Sequence, residues 1–203
     1  MSLGFLRAQV LHLRKGGRAL GLIVALLLVC LLLASSSLAD AGVNGSPGKR
    51  AMLCGHVDLQ GRPPVPSGRW TIKLTVIIRH CPQPAREYQA ETNAWGDFCI
   101  PNVPVGTFDI SVKAFNTLSA CNMAVELKTG KNQVNFGTLL AGDANGDNVI
   151  DGKDIAILLA AYGTRRGQRR YDPRADFNDD GKVDIADANL LPATETRGCQ
   201  LCP

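Results

Sequence analysis

Residues 142–154 read GDANGDNVIDGKD, and residues 175–187 read ADFNDDGKVDIAD. With Asp143 set opposite Asp176, the two stretches align oxygen for oxygen: Asp143, Asn145, Asp147, Asp151 and Asp154 against Asp176, Asn178, Asp180, Asp184 and Asp187. These are positions 1, 3, 5, 9 and 12 of a twelve-residue loop that surrounds a hard cation with six to eight oxygens at about 2.3–2.6 Å. Position 7 contributes only its backbone carbonyl, which leaves the side chains of Val149 and Lys182 free. Ile150 and Val183, at position 8, are expected to turn inward and pack the two loops together. Position 6 needs a left-handed bend, supplied directly by Gly181; Asn148 replaces glycine in the first loop, and asparagine is the next most tolerant residue there. One such match could be a solvated acidic turn. Two in phase predict two calcium ions, one per loop, as part of the fold, because the carboxylates repel one another without them.

Aspartate rather than glutamate at position 12, no full helix entering either loop, and YDPRADFNDDG leading into the second copy together resemble a type I dockerin domain over residues 142–192. The resemblance implies paired F-hand motifs, each a calcium loop plus its exiting helix. It also implies a cohesin-like protein partner, as in the polysaccharide-degrading assemblies where dockerins plug into cohesins. Gly152 and Lys153, and Ile185 and Ala186, hold loop positions 10 and 11, where cohesin-contacting residues sit; they match neither a Ser-Thr pair nor each other. The first exiting helix, about residues 152–162, carries Ile155, Leu158, Leu159 and Tyr162 at i, i+3, i+4 and i+7, one apolar stripe, with Gly163 as its stop. Ala188, Leu190 and Leu191 form the counterpart before Pro192 cuts the second helix short. The stripes are expected to pack together, and any exposed remainder is the partner surface.

Upstream, residues 1–18 carry Arg7, Arg14, Lys15 and Arg18 and no acid, and residues 19–34 are apolar. The small residues of SSSLA follow, so residues 1–39 read as a secretory signal cut after Ala39 or Ala41; an uncleaved membrane anchor is the alternative. Either way the remainder is exported, to the outside or to the extracellular side of a bacterial membrane. The chain's 22 basic residues exceed its 18 acidic ones only because this segment holds four bases and no acid. The remainder is formally neutral, which gives no support for nucleic-acid binding. Residues 40–50 read as a turn-rich linker.

Over residues 51–141 the hydrophobic period is two. Trp70, Ile72, Leu74, Val76 and Ile78 alternate with Thr71, Lys73, Thr75, Ile77 and Arg79; Phe108, Ile110, Val112 and Ala114 form a second series, Met123, Val125 and Leu127 a third, and Val134 and Phe136 a fourth. Turn-rich stretches separate them, so about seven short strands in an all-β antiparallel sandwich are expected, followed by a small α-helical module. ETNAWGDFCIPNVPVGTFDISVKAF, residues 91–115, resembles a carboxypeptidase regulatory-like domain, similar to prealbumin-like and Cna-B-type modules, and the resemblance extends over residues 51–141. That family implies an accessory or spacer role and brings no catalytic residues.

Six cysteines follow the leader: Cys54, Cys81, Cys99, Cys121, Cys199 and Cys202. An even number in an exported chain argues for disulfides, with fifteen pairings open. Two bridges are expected inside the sandwich. Cys199 and Cys202, on the tail of residues 193–203, would form a local staple or a tie back to the body. A redox role for this CxxC lacks the strand-to-helix setting that lowers a thiol pKa. A zinc site from Cys54, His56, His80 and Cys81 is hampered because the adjacent His80 and Cys81 point to opposite strand faces. The five arginines of residues 163–174 offset the loop acids. Neither a nucleophile elbow nor HExxH nor a Ser–His–Asp set occurs, so no catalytic residue is assigned and the chain is expected not to be an enzyme.

These features predict calcium-dependent protein–protein association outside the cell. The alternative is a purely structural role for calcium in a module packed on its own sandwich. Glycan binding by the sandwich, through Trp95 at a turn tip, ranks below both.

Overall fold

The computed structural model describes residues 49–202. The leader of residues 1–39 and most of the expected linker lie outside the described residues, though Arg50 already opens the first strand. The described residues fall in one compact unit, so the sandwich and the calcium-loop module share a single body.

Seven strands build the sandwich: β1 (Arg50–Leu59), β2 (Lys73–Arg79), β3 (Arg86–Glu91), β4 (Asp97–Pro104), β5 (Gly106–Ala114), β6 (Ala120–Leu127) and β7 (Gly130–Leu139). One sheet has the order β4-β1-β7 and the other β3-β2-β5-β6. The inward series holds as read for β2 and β5. Leu74, Val76, Ile78, Ile110 and Val112 are all at most 1% exposed; Leu53, Val57, Val103 and Leu139 meet them from the opposite sheet, and Leu127 joins them from β6 of their own. Trp70 caps one end of this core from a 3-10 turn (Gly68–Trp70), its indole N–H donating to the Pro63 carbonyl at 2.7 Å.

Two expectations fail here. The sandwich is not wholly antiparallel: β7 runs parallel to β1, pairing Gly55 with Val134, because the last strand returns beside the first in the same direction. Met123 is 56% exposed rather than inward. The pairing of β5 with β6 slips between Phe108 and Ile110, and Ala124 takes a left-handed φ of 53° with its N–H donating to Asp109 Oδ1. An extra residue in one strand re-aims the side chains after it.

The second module contains four two-residue strands and two helices: β8 (Val149–Ile150), α1 (Gly152–Ala161), β9 (Thr164–Arg165), β10 (Lys182–Val183), α2 (Ile185–Ala188) and β11 (Thr196–Arg197). Its core is small: Ala141, Ala144, Leu158, Ala161, Ala175, Phe177 and Val183. Ala144 and Phe177 are the position-2 residues of the two loops, a pair that pattern reading passed over. So small a core accepts one ridge of α1, and the expected stripe therefore splits. Leu158 is 2% exposed, whereas Ile155, Leu159 and Tyr162 are 42–65% exposed. The helix α2 is a single turn, ending at Ala188 before Pro192 is reached.

The disulfides pair Cys54 with Cys99, Cys81 with Cys202, and Cys121 with Cys199. Only the first lies inside the sandwich, joining directly opposed residues of β1 and β4. The other two anchor the tail to it. The zinc arrangement is thereby overturned, since Cys54 and Cys81 are both oxidised; His56 instead pairs with Asp97 at 2.8 Å, and His80 bonds the Thr107 carbonyl.

Phe177 is 1% exposed and the largest fully buried side chain, so it dominates a core with little else to lose. Phe177→Ala is expected to destabilise the module by about 3–5 kcal/mol, read as a lowered denaturation midpoint for module probes while the sandwich transition moves less.

Candidate metal centre

In each loop, position 9 is the N-cap of the exiting helix and position 12 its third residue. Asp151 accepts from the Lys153 N–H at 2.7 Å, and Asp154 Oδ2 accepts from the Asp151 N–H at 2.9 Å. Asp184 and Asp187 repeat this with Ala186 and Asp184, at 2.8 and 2.9 Å. This reciprocal capping starts the helix, and the acids sit where the helix dipole favours negative charge. The same residues therefore start the helices and supply the loop oxygens.

The rest of the scaffold repeats position by position. Asp147 N–H donates to Asn145 Oδ1, and Asp180 N–H to Asn178 Oδ1, both at 2.8 Å. Val149 and Lys182 N–H groups donate to the position-5 carboxylates at 3.0 and 2.9 Å. Asn145 and Asn178 N–H groups reach Oδ1 of Asp154 and Asp187 at 3.1 and 3.2 Å. The position-6 N–H donates to Oδ2 of position 1 in both loops, Asn148 to Asp143 at 3.0 Å and Gly181 to Asp176 at 2.9 Å. Both position-6 residues take the expected left-handed φ, 67° at Asn148 and 85° at Gly181.

Asp143, Asp154, Asp176 and Asp187, the first and last ligand positions, are each at most 3% exposed. Burial pushes the Asp187 carboxyl above its ordinary value despite three backbone N–H donors. Buried carboxylates need a compensating cation, and protein cations cover them unevenly. Lys113 from β5 pairs with Asp143 Oδ2, and Tyr171 donates to Asp176 Oδ2 with Arg166 3.8 Å away. These oxygen-only, doubly repeated donor sets suit a hard divalent cation better than a lysine at one corner. Among the described residues, three Cys, His or carboxylate ligand atoms lie within 4.8 Å of one another at Cys81, Asp109 and Cys202, where the two sulfurs already form a disulfide. The loop carboxylates stand wider than that, spread over their N–H donors.

Ile150 and Val183 are buried as expected, but the loops do not pair with each other. Each is paired instead by a Thr-Arg segment that follows the opposite helix: Thr164 and Arg165 lie against Val183 and Lys182, and Thr196 and Arg197 against Ile150 and Val149. The tail thus completes the first loop. Nothing in its composition signals this except the Thr-Arg repeat, visible only once both loops are aligned.

The module is also bound tightly to the sandwich. Arg62 and Arg69 guanidinium groups donate to the Asn178 carbonyl at 3.2 and 3.4 Å, and Arg62 pairs with Asp179 at 2.9 Å. Asn148, whose side chain was expected only to tolerate its bend, bridges two neighbours: Oδ1 accepts from Ser119 N–H at 2.9 Å, and Nδ2 donates to Ser119 Oγ at 2.9 Å and to the Cys199 carbonyl at 3.2 Å.

Residues 141–193 match the family described as Dockerin type I domain. Comparison with curated proteins gives no match. Among solved structures, the chain is similar to two interface mutants of a type II cohesin–X–dockerin complex from Acetivibrio cellulolyticus. For the N-terminal mutant, identity is 20% and the TM-score 0.53, with 70% of this chain and 92% of the other covered. For the C-terminal mutant the values are 21% and 0.54 over the same shares. At such identity the likeness is one of fold. The described chain is a β-sandwich followed by a segment that carries the type I dockerin signature.

Proposed function

We propose that this chain is an exported, non-catalytic adaptor that binds two calcium ions and associates through its dockerin-type module with a cohesin-like protein. The first ion would be held by side-chain oxygens of Asp143, Asn145, Asp147, Asp151 and Asp154 and the Val149 carbonyl. The second would take Asp176, Asn178, Asp180, Asp184 and Asp187 with the Lys182 carbonyl. Bound calcium supplies the positive charge that lets these carboxylates share one small volume. The sandwich serves as a carboxypeptidase regulatory-like spacer, and three disulfides suit an oxidising compartment.

One observation carries the association. A module with a seven-residue core leaves Ile155, Leu159 and Tyr162 of α1, and Ile185 at position 10 of the second loop, 42–65% exposed. Such large apolar side chains would strengthen that core if they faced it. On the outside they suit a protein partner, and the exiting helices that present them depend on the loops. The structural alternative draws support from the arginine and disulfide ties to the sandwich, which would give calcium a use without any partner.

Three outcomes test this. In calorimetric titration the chain takes up two calcium ions, and Asp143→Ala and Asp176→Ala each lose one; a wild-type stoichiometry of zero refutes the metal assignment. A purified cohesin panel binds the chain in calcium, not in chelator, and not after Leu159→Glu. Calcium uptake that proceeds with no cohesin bound favours the structural alternative. Finally, the raised Asp187 carboxyl gives a sign. Without metal the folded chain holds this proton more tightly than the unfolded chain, so its contribution to stability is lost as pH rises through the carboxylate range. Calcium must displace any proton held there, so proton release on binding is expected to be largest at the acid end of the carboxylate range and to fall as pH rises, measured by titration in buffers of differing ionisation enthalpy.

A further inference from the structure

The two loops are near copies in their internal hydrogen bonds, yet they are supported differently from outside. The second loop is paired by β9, which follows α1 directly after Gly163. The first is paired by β11, reached only after a stretch without regular structure from Leu191 to Glu195. What holds β11 in place lies beyond it. Cys199 is bonded to Cys121 in β6, Cys202 to Cys81 at the end of β2, and the Arg79 guanidinium donates to the Leu201 carbonyl at 3.2 Å.

These anchors converge on one residue of the first loop. The Asn148 N–H shapes the position-1 carboxylate of Asp143, while the Asn148 carbonyl accepts from Gly198 N–H at 2.9 Å. Its side-chain amide meets Ser119 and the Cys199 carbonyl, and Ser119 Oγ also donates to that carbonyl at 2.9 Å. Gly198 allows this approach, for a Cβ there would overlap the Asn148 amide. Gly181, the equivalent residue of the second loop, repeats the backbone bond, its carbonyl accepting from Arg166 N–H at 2.8 Å, but has no side chain to make the amide contacts.

We propose that the disulfide-anchored tail is a clamp on the first calcium loop, with Asn148 as its positioning residue, so that closure of the Cys121–Cys199 bridge sets the affinity of that site alone. The inference rests on the calcium assignment above. A loop held in its cage-forming shape before the ion arrives spends less of the binding free energy on ordering itself. Release the tail, and the first loop loses its paired strand and its position-6 amide contacts together; the second loop loses neither.

Asn148→Gly separates this account from one in which each loop acts alone. Glycine is the better residue for a left-handed bend, so an autonomous first loop would bind calcium as well as before or more tightly. The clamp predicts the reverse: about tenfold weaker binding at one of two sites, the loss of one to two net side-chain hydrogen bonds. Calorimetric titration of the full chain reads both affinities. The Cys121→Ser/Cys199→Ser double variant, with Cys81–Cys202 intact, is expected to weaken the same site and leave the second unchanged. Amide exchange at Ile150, which faces Thr196 of the tail, should quicken in both variants when measured in chelator, a readout taken without the metal. Two wild-type sites with Asn148→Gly unchanged or tightened would overturn the clamp. No binding in the wild type would instead overturn the calcium assignment.

Discussion

Four carboxylates, at the first and last positions of two short loops, lie almost wholly out of solvent. Burying an ionised group costs several kcal/mol unless charge and hydrogen bonds compensate it. The loops meet part of that cost by wrapping backbone N–H groups around each acid: Asn145 and Asp151 around Asp154, Phe177, Asn178 and Asp184 around Asp187. The left-handed turns at Asn148 and Gly181 and the helix caps at Asp151 and Asp184 belong to the same wrapping of donors around acids. What the donors cannot supply is net positive charge, and a divalent cation supplies it with oxygen ligands already at hand.

The module's other difficulty is size. Its apolar core is built around Phe177 and Leu158, too little for a domain of about 50 residues to stand alone without staples or metal. The chain answers by merging the module with its neighbour. Arg62 and Arg69 reach from the sandwich to the second loop, Lys113 and Ser119 to the first, and two disulfides tie down the tail after α2. Their covalent loops are long, with separations of 121 and 78 residues, so each bridge removes about 4–5 kcal/mol of denatured-state freedom in the chain-entropy account. Stability borrowed in this way leaves the outer face of α1 free of any duty to the core.

Local patterns were legible in the sequence and long-range ones were not. The loops could be read because ligand spacing is set within twelve residues, and β2 and β5 because burial on one face imposes a period of two. The stripe of α1 misled because periodicity reports which side chains share a face, not how much of that face a small core can cover; Leu158 went in and Leu159 stayed out. Met123 turned outward at a one-residue slip that no period records. The partners of Cys199 and Cys202 depend on where a tail of irregular backbone ends up in space, and six cysteines alone cannot say. In the sequence Asn148 reads only as a tolerated substitute for glycine, because the Ser119 amide and hydroxyl that use its side chain come from the connection before β6, 29 residues earlier.

The central claim is that a cation gathers the loop oxygens and so gives the module its shape. Amide hydrogen exchange, measured with saturating calcium and again in chelator, addresses it at single residues. The account predicts that the position-3 and position-6 amides, Asn145, Asn148, Asn178 and Gly181, lose protection by roughly a hundredfold or more when the ion is removed, while Val76 and Val112 in the sandwich core keep most of theirs. Equal protection of the loop amides in both conditions would contradict it.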